Sequence, residues 1–183
     1  AMRGFQFRTY LVEDTSDGKQ YLAKVTQDLT RALVEVRVHI HLKANQYPDR
    51  YYAKMIGFDY EATVTRNQSR LRGKFAVMLL AYLPSERYQP LDLYLQSRQV
   101  AAMSPSVKKK LADKLGRRIT KLHELGISHG DLRTANIMIT VTRAGRTGVR
   151  VIDFGLSRFG DAEAIERDDN RLERVIQRIV AKR

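Results

Sequence analysis

Cysteine and tryptophan are absent from the 183 residues, and proline occurs only four times. Without cysteine the chain has no disulfides, no thiolate metal sites and no cysteine nucleophile. No apolar run approaches the roughly 18 residues of a membrane helix. The first residues, Ala1-Met2-Arg3-Gly4-Phe5, also lack the apolar core of a secretory signal, so an intracellular protein, cytoplasmic or nuclear and with no membrane association, is expected. Negative charge is scarce too: 20 Asp and Glu stand against 33 Lys and Arg, a net charge of +13. Such a surface attracts polyanions, which makes RNA or an acidic protein partner an expectation beside a plain solubilising role. Repeats and low-complexity linkers are missing, so organisation must be read from periodicity and turns.

What is present suits a folded α+β protein. Apolar residues make up 43% and charged residues 29%, enough hydrophobicity to exclude a disordered chain. Residues 5–12 are rich in strand formers, Asp14-Thr15-Ser16-Asp17-Gly18 reads as a hairpin turn, and residues 20–25 form the returning strand, which carries Ala23-Lys24-Val25. Residues 28–45 alternate like a strand through Val34, Val36, Val38, Ile40 and Leu42. Leu29, Leu33, Val36 and Ile40 also fit a helix that Asp28 can cap, and the length favours that helix. Two further strands are predicted over residues 51–60 and 74–83. Helical signals follow, first through Leu91, Leu93 and Leu95. A longer helix then starts at Ser104-Pro105 and runs to about Leu125, with Leu111, Leu115, Ile119 and Leu122 on its apolar face. Gly126 ends it. Short strands at 136–141 and 149–153 flank a turn at 143–148, and a last helix is predicted from Arg167 to about Lys182. The expected organisation is therefore two lobes, strand-rich over 1–83 and mostly helical over 84–183, with an adenine-sized seam near Tyr82.

The chemistry concentrates in Ser128-His129-Gly130-Asp131-Leu132-Arg133-Thr134-Ala135-Asn136, followed 17 residues after Asn136 by Asp153-Phe154-Gly155. An Asp able to accept a hydroxyl proton, an Asn five residues on and a second Asp are the parts that hold magnesium and ATP phosphates near an attacking group. His129 reads as support for the loop. His39 and His41 read as helix or surface residues, since no third ligand accompanies them.

This ordered set resembles the protein kinase-like superfamily, over residues 5 to about 160. The resemblance implies a two-lobed kinase-like fold, ATP and Mg2+ as cofactors, Asp131 as catalytic base, and Asn136 and Asp153 as metal ligands. It also implies that Lys24 neutralises phosphate oxygens, that Glu35 holds Lys24, and that the backbone of Tyr82 and Leu83 meets the adenine edge. Arg133, two residues after Asp131, joins the catalytic set without settling the acceptor. Only 11 residues separate Lys24 from Glu35, short for the superfamily.

Two departures shape the expectation. Only Gly4 lies upstream of the hairpin turn, so the sequence begins inside the Gly-rich loop that covers ATP phosphates or lacks one. Only 28 residues follow Gly155, without Ala-Pro-Glu, which argues against a conventional platform for a protein substrate. His-Gly-Asp in place of His-Arg-Asp argues against control by activation-loop phosphorylation. That form is seen in aminoglycoside phosphotransferase-like enzymes and in the small atypical kinase of the KEOPS complex. The resulting expectation is an ATP-dependent phosphotransferase, or an ATPase. Its main alternative is a kinase-like pseudoenzyme serving as a partner- or RNA-binding module, with small-molecule phosphotransfer third. Two basic stripes supply the RNA argument: Arg167, Arg171, Arg174 and Arg178 on the last helix, and Lys110, Lys114, Arg117 and Lys121 beside Lys108 and Lys109.

Overall fold

A computed structural model of the chain describes residues 8–62, 65–66, 69–70, 75–97, 103–142 and 146–181. The start of the first expected strand, residue 74, the turn residues 143–145 and Lys182 lie outside them. Strands β1 (Arg8–Glu13) and β2 (Gln20–Thr26) form a hairpin whose turn closes through Gly18 N–H to Asp14 O at 2.8 Å. With β3 (Met55–Ala62) and β6 (Phe75–Ala81) they make an antiparallel sheet in the order β1-β2-β6-β3. Two-residue strands β4 (Thr65–Arg66) and β5 (Ser69–Arg70) pair between β3 and β6 in sequence. The third strand starts at Met55 rather than residue 51, because Asp49–Tyr51 forms a 3-10 turn after Pro48.

Helix α1 (Leu29–Ala44) lies against β6 and β3, capped by Asp28, whose side chain accepts from Arg31 N–H at 3.1 Å. Its buried face differs from the expected stripe. Ala32, Glu35, Val36, Val38, His39 and Leu42 are buried, while Leu29, Leu33 and Ile40 are exposed. The helix is turned so that a carboxylate and an imidazole face the fold beside Ala32, Val36, Val38 and Leu42, while three of its large apolar residues face outward; apolar periodicity could not reveal that.

The second half begins with β7 (Gln89–Pro90) and α2 (Leu91–Gln96). Helix α3 (Pro105–Glu124) has Ser104 as cap and Pro105 in its first turn, and it buries Leu111, Leu115, Ile119 and Leu122 to 1% exposure or less. Gly126, at φ +69°, ends the run into β8 (Ile127–Ser128). Strands β9 (Ile137–Val141) and β10 (Thr147–Val151) form a hairpin that β7 extends to three strands, and β11 (Arg158–Phe159) pairs with β8. Helix α4 spans Ala162–Ala181, starting five residues before the expected Arg167, because the Asp161 side chain caps Ala164 N–H at 2.9 Å.

One hydrophobic core joins α2, α3, α4 and the β8–β10 strands to the inner end of α1 through Val38 and Leu42. Tyr52, 1% exposed, bridges to Val151 across the halves. Among the described residues no helix is long and apolar enough to cross a membrane. The result is an α+β fold, with an antiparallel sheet before a mostly helical half.

Candidate active site

Residues from separate elements meet between the sheet and the helical half. Lys24, near the end of β2, is 6% exposed, and its Nζ donates to Glu35 Oε1 and Oε2 of α1 at 2.9 and 2.6 Å. The same ammonium donates to Asp153 Oδ1 at 2.9 Å, two residues beyond β10. The short separation of Lys24 and Glu35 works because α1 begins three residues after β2 ends, with Thr26 Oγ1 accepting from Asp28 N–H at 2.9 Å. Burial pushes the Glu35 carboxyl up, against the downward pull of the Lys24 ammonium. Burial also acts to raise Asp153, but Lys24 outweighs it and holds that carboxyl below the ordinary range. Asp153 sits at φ +68°, a left-handed conformation that costs an L-residue roughly 1–2 kcal/mol.

Asp131 and Asn136 form the facing pair. Asn136, 5% exposed, donates Nδ2 to the Asp131 backbone oxygen and to Asp131 Oδ2, both at 2.9 Å. Arg133 Nε donates to the same Oδ2 at 3.0 Å. With its Nδ2 so committed, Asn136 leaves its amide oxygen to the cleft it lines beside Asp153. Two hard oxygens on one wall fit a magnesium ion. Among the described residues no three His, Cys, Asp or Glu gather into another metal cluster. The cleft measures about 250 Å³, and Leu22, Ala53, Leu80, Met138 and Ile152 supply an apolar lining beside Tyr82 and Leu83. Lys24, Asn136 and Asp153 form its polar end.

The loop bearing Asp131 is held from beneath by a residue that the sequence reading missed. Asp168 of α4, fully buried, accepts from the backbone N–H groups of His129 and Gly130, the latter at 3.2 and 3.3 Å to its two oxygens. Arg171 Nη1 donates to Gly130 O at 2.6 Å, and Arg178 Nη1 to Thr134 Oγ1 at 3.3 Å. Half of the α4 basic stripe therefore reaches the loop. The missed signal was an acid on the apolar side: Asp168 shares a face with Ala164, Leu172, Val175 and Ile179.

Fully buried His129 accepts from Asp131 N–H through Nδ1 at 3.3 Å and has Nε2 3.0 Å from Ile152 O, the pattern of a neutral ring with its proton on Nε2. Burial pushes its pKa down, despite the opposing Asp168 carboxylate. The ring packs on Phe154, which also contacts His39 and Tyr52. Gly130 has φ +78°, and a Cβ there would lie 1.9 Å from Leu156 O, so no side chain fits where related motifs carry Arg.

The model of the lipopolysaccharide kinase (Kdo/WaaP) family matches residues 19–182. The chain belongs to the lipopolysaccharide kinase (Kdo/WaaP) family. This Kdo/WaaP family member is also similar to the KEOPS complex subunit Bud32 of Pyrococcus abyssi, with 35% identity over 105 residues, 57% of this chain and 42% of that subunit. The serine/threonine-protein kinase zyg-8 of Caenorhabditis elegans is 33% identical over 76 residues, 42% of this chain and 10% of that protein. The chain thus spans less than half the length of the curated relatives it matches. Among solved structures, WaaP in complex with acyl carrier protein superposes with a TM-score of 0.67 at 15% identity, covering 100% of this chain and 77% of WaaP, a likeness of fold alone. Kdo/WaaP membership sets the protein in the protein kinase-like superfamily, a kinship that implies use of ATP, usually with Mg2+.

Proposed function

We propose that the protein binds ATP in the cleft between residues 1–83 and 84–183 and transfers the γ-phosphoryl group to a hydroxyl, with water as the acceptor when no other is bound. The observation that carries this reading is the convergence of Lys24, Glu35 and Asp153 in one hydrogen-bonded chain beside Asn136 and Asp131. Lys24, fixed by Glu35, gives an ammonium to phosphate oxygens, and the Tyr82–Leu83 backbone meets the adenine. Asp153 and the Asn136 amide oxygen would hold Mg2+, which when bound neutralises phosphate charge. Asp131 orients the acceptor hydroxyl and takes its proton as the new oxygen–phosphorus bond forms. The bond from the γ-phosphorus to its bridging oxygen then breaks and ADP leaves. Asp131 Oδ1 has no partner among the described residues and suits that role, while Arg133 steadies Oδ2.

The acceptor follows from kinship. The family description points to a sugar hydroxyl of lipopolysaccharide, and kinship with Bud32, a KEOPS subunit, supports action beside a protein partner. Dependence on ATP is the reason to assign the work to an intracellular compartment.

Calorimetric titration of Mg-ATP, paired with phosphate release, tests the reading. Micromolar binding should vanish in Asp153→Ala, and Asp131→Asn should keep binding while losing about 100-fold or more in turnover. Binding with no turnover on any hydroxyl acceptor would point instead to a pseudoenzyme. No binding by folded protein would end the enzyme reading.

A further inference from the structure

A second concavity, about 540 Å³, shares no lining residue with the cleft. It follows β9 outward: Met138 lines the cleft, and Thr140, two residues on, lines this pocket. Its walls come from distant parts of the chain. Arg50 of the 3-10 turn and Arg87 beyond Leu83 form one side, and Lys114, Arg117 and Arg118 of α3 form another. Arg146 and Arg150, before and within β10, complete it. No Asp or Glu lines it among the described residues. Asp49, next to Arg50, turns its carboxylate to Lys54 at 2.7 Å.

Cations so crowded repel one another unless an anion joins them. Burial, with neighbouring Arg118, Arg117 and Lys110, pushes the Lys114 ammonium down, as expected where positive charges lack a counter-charge. The guanidinium planes are also held in place. Arg118, 7% exposed, stacks 4.3 Å from the Tyr51 ring centroid and donates Nη1 to Lys114 O at 2.8 Å. Arg150 stacks on Tyr88 at 5.2 Å and donates to Tyr52 O at 3.0 Å. Arg118 Nε, Arg150 Nε and Thr147 Oγ1 are buried without a hydrogen-bond partner among the described residues, and all three belong to residues of this one pocket. Orphaned polar atoms are rare in folded proteins and point to an absent partner. Water can supply acceptors, but not negative charge.

We propose that this pocket is a binding site for a compact ligand carrying several phosphates, separate from the nucleotide cleft. Six of the seven cations are arginines, whose planar forks match phosphate oxygens two at a time. The volume falls within the roughly 300–1,000 Å³ of small-molecule sites, which favours a compact ligand over an extended strand.

Inorganic tripolyphosphate, without magnesium, is the probe, titrated at near-physiological salt into three proteins: wild type, Lys24→Met, and the double variant Arg87→Ala/Arg146→Ala. Arg87 and Arg146 are exposed, so the fold should survive, and thermal melts check it. Arg117→Ala, also exposed, repeats the test from the α3 wall. Wild type and Lys24→Met should bind alike, and the double variant should bind about tenfold more weakly or worse. Equal binding by the double variant and by Arg117→Ala would overturn the proposal. So would loss of binding in Lys24→Met, which would put the anion in the cleft. Silence toward tripolyphosphate with tight binding of a short single-stranded RNA would replace the compact ligand with a nucleic-acid surface. Because the probe is not ATP, failure here leaves the phosphotransferase reading untouched.

Discussion

Replacing Asp168 should loosen the loop that carries Asp131 from a position that touches no substrate. Its carboxylate is fully buried, accepts from the His129 and Gly130 N–H groups, and has His123 Nε2 at 3.6 Å and Arg171 Nη1 at 3.9 Å. Hydrogen bonds to a charged group contribute about 1.5–3 kcal/mol each, so Asp168→Ala, which strands two buried donors, should cost about 3–5 kcal/mol. Against a typical stability of about 5–15 kcal/mol that is near the limit of folding. Asp168→Asn keeps one acceptor but turns an amide N–H toward the second donor, so about 2 kcal/mol is expected. Urea denaturation should show a lower midpoint at unchanged slope. The pH dependence supplies an independent check. Burial acts to raise this carboxyl, but His123 and the loop N–H groups outweigh it and hold it below the ordinary range. A depressed carboxylate contributes stability above its unfolded pKa of about 3.9 and loses it as pH falls through the folded value. The gap between wild type and Asp168→Asn should therefore be full at pH 6 to 7 and shrink below about pH 4. A difference under about 0.5 kcal/mol at pH 7, or a gap that widens in acid, would refute the assignment.

Other consequences are equally direct. Gly130→Ala forces an alanine into φ +78° against Leu156 O, so a loss of about 3 kcal/mol in a urea melt is expected, and Gly130→Arg should do worse; a neutral Gly130→Ala would refute the close approach. Burial drives the His39 pKa down to about 3, with Lys24 adding to it, so the ring stays neutral in the fold while the unfolded chain takes up a proton below about pH 6.5. Stability should then fall by about 2 kcal/mol from this group between pH 7.5 and 5. Proton NMR should show no His39 titration in that window, and a midpoint above pH 5 would contradict the burial argument.

Much of the fold was legible because it rests on local patterns. The alternation of Ala76, Met78 and Leu80 marks β6, and the Leu111, Leu115, Ile119 and Leu122 spacing marks α3. The His-Gly-Asp and Asp-Phe-Gly segments stood out because their residue types and spacing are rarely combined by chance. The orientation of α1 was not legible. Leu33 and Ile40 satisfy helical periodicity as well as Val36 does, yet they face solvent, because the face that packs is the one bringing Glu35 to Lys24. The start of α4 was read late because Asp161, its cap, lies among loop-like residues.

By itself, then, the sequence determined the elements, the order of the catalytic-type residues and the excess of positive charge, since each depends on neighbours within a few positions. Tertiary structure alone decided which charges meet. Asp168 and Gly130 are 38 residues apart, Lys24 and Asp153 are 129 apart, and Arg50, Arg87, Arg118 and Arg150 come from four separate segments to one pocket. A charge on a helix face reads the same in sequence whether it meets water, a backbone N–H or another cation. Only packing, by removing water from some of those groups and giving each its neighbours, makes the difference.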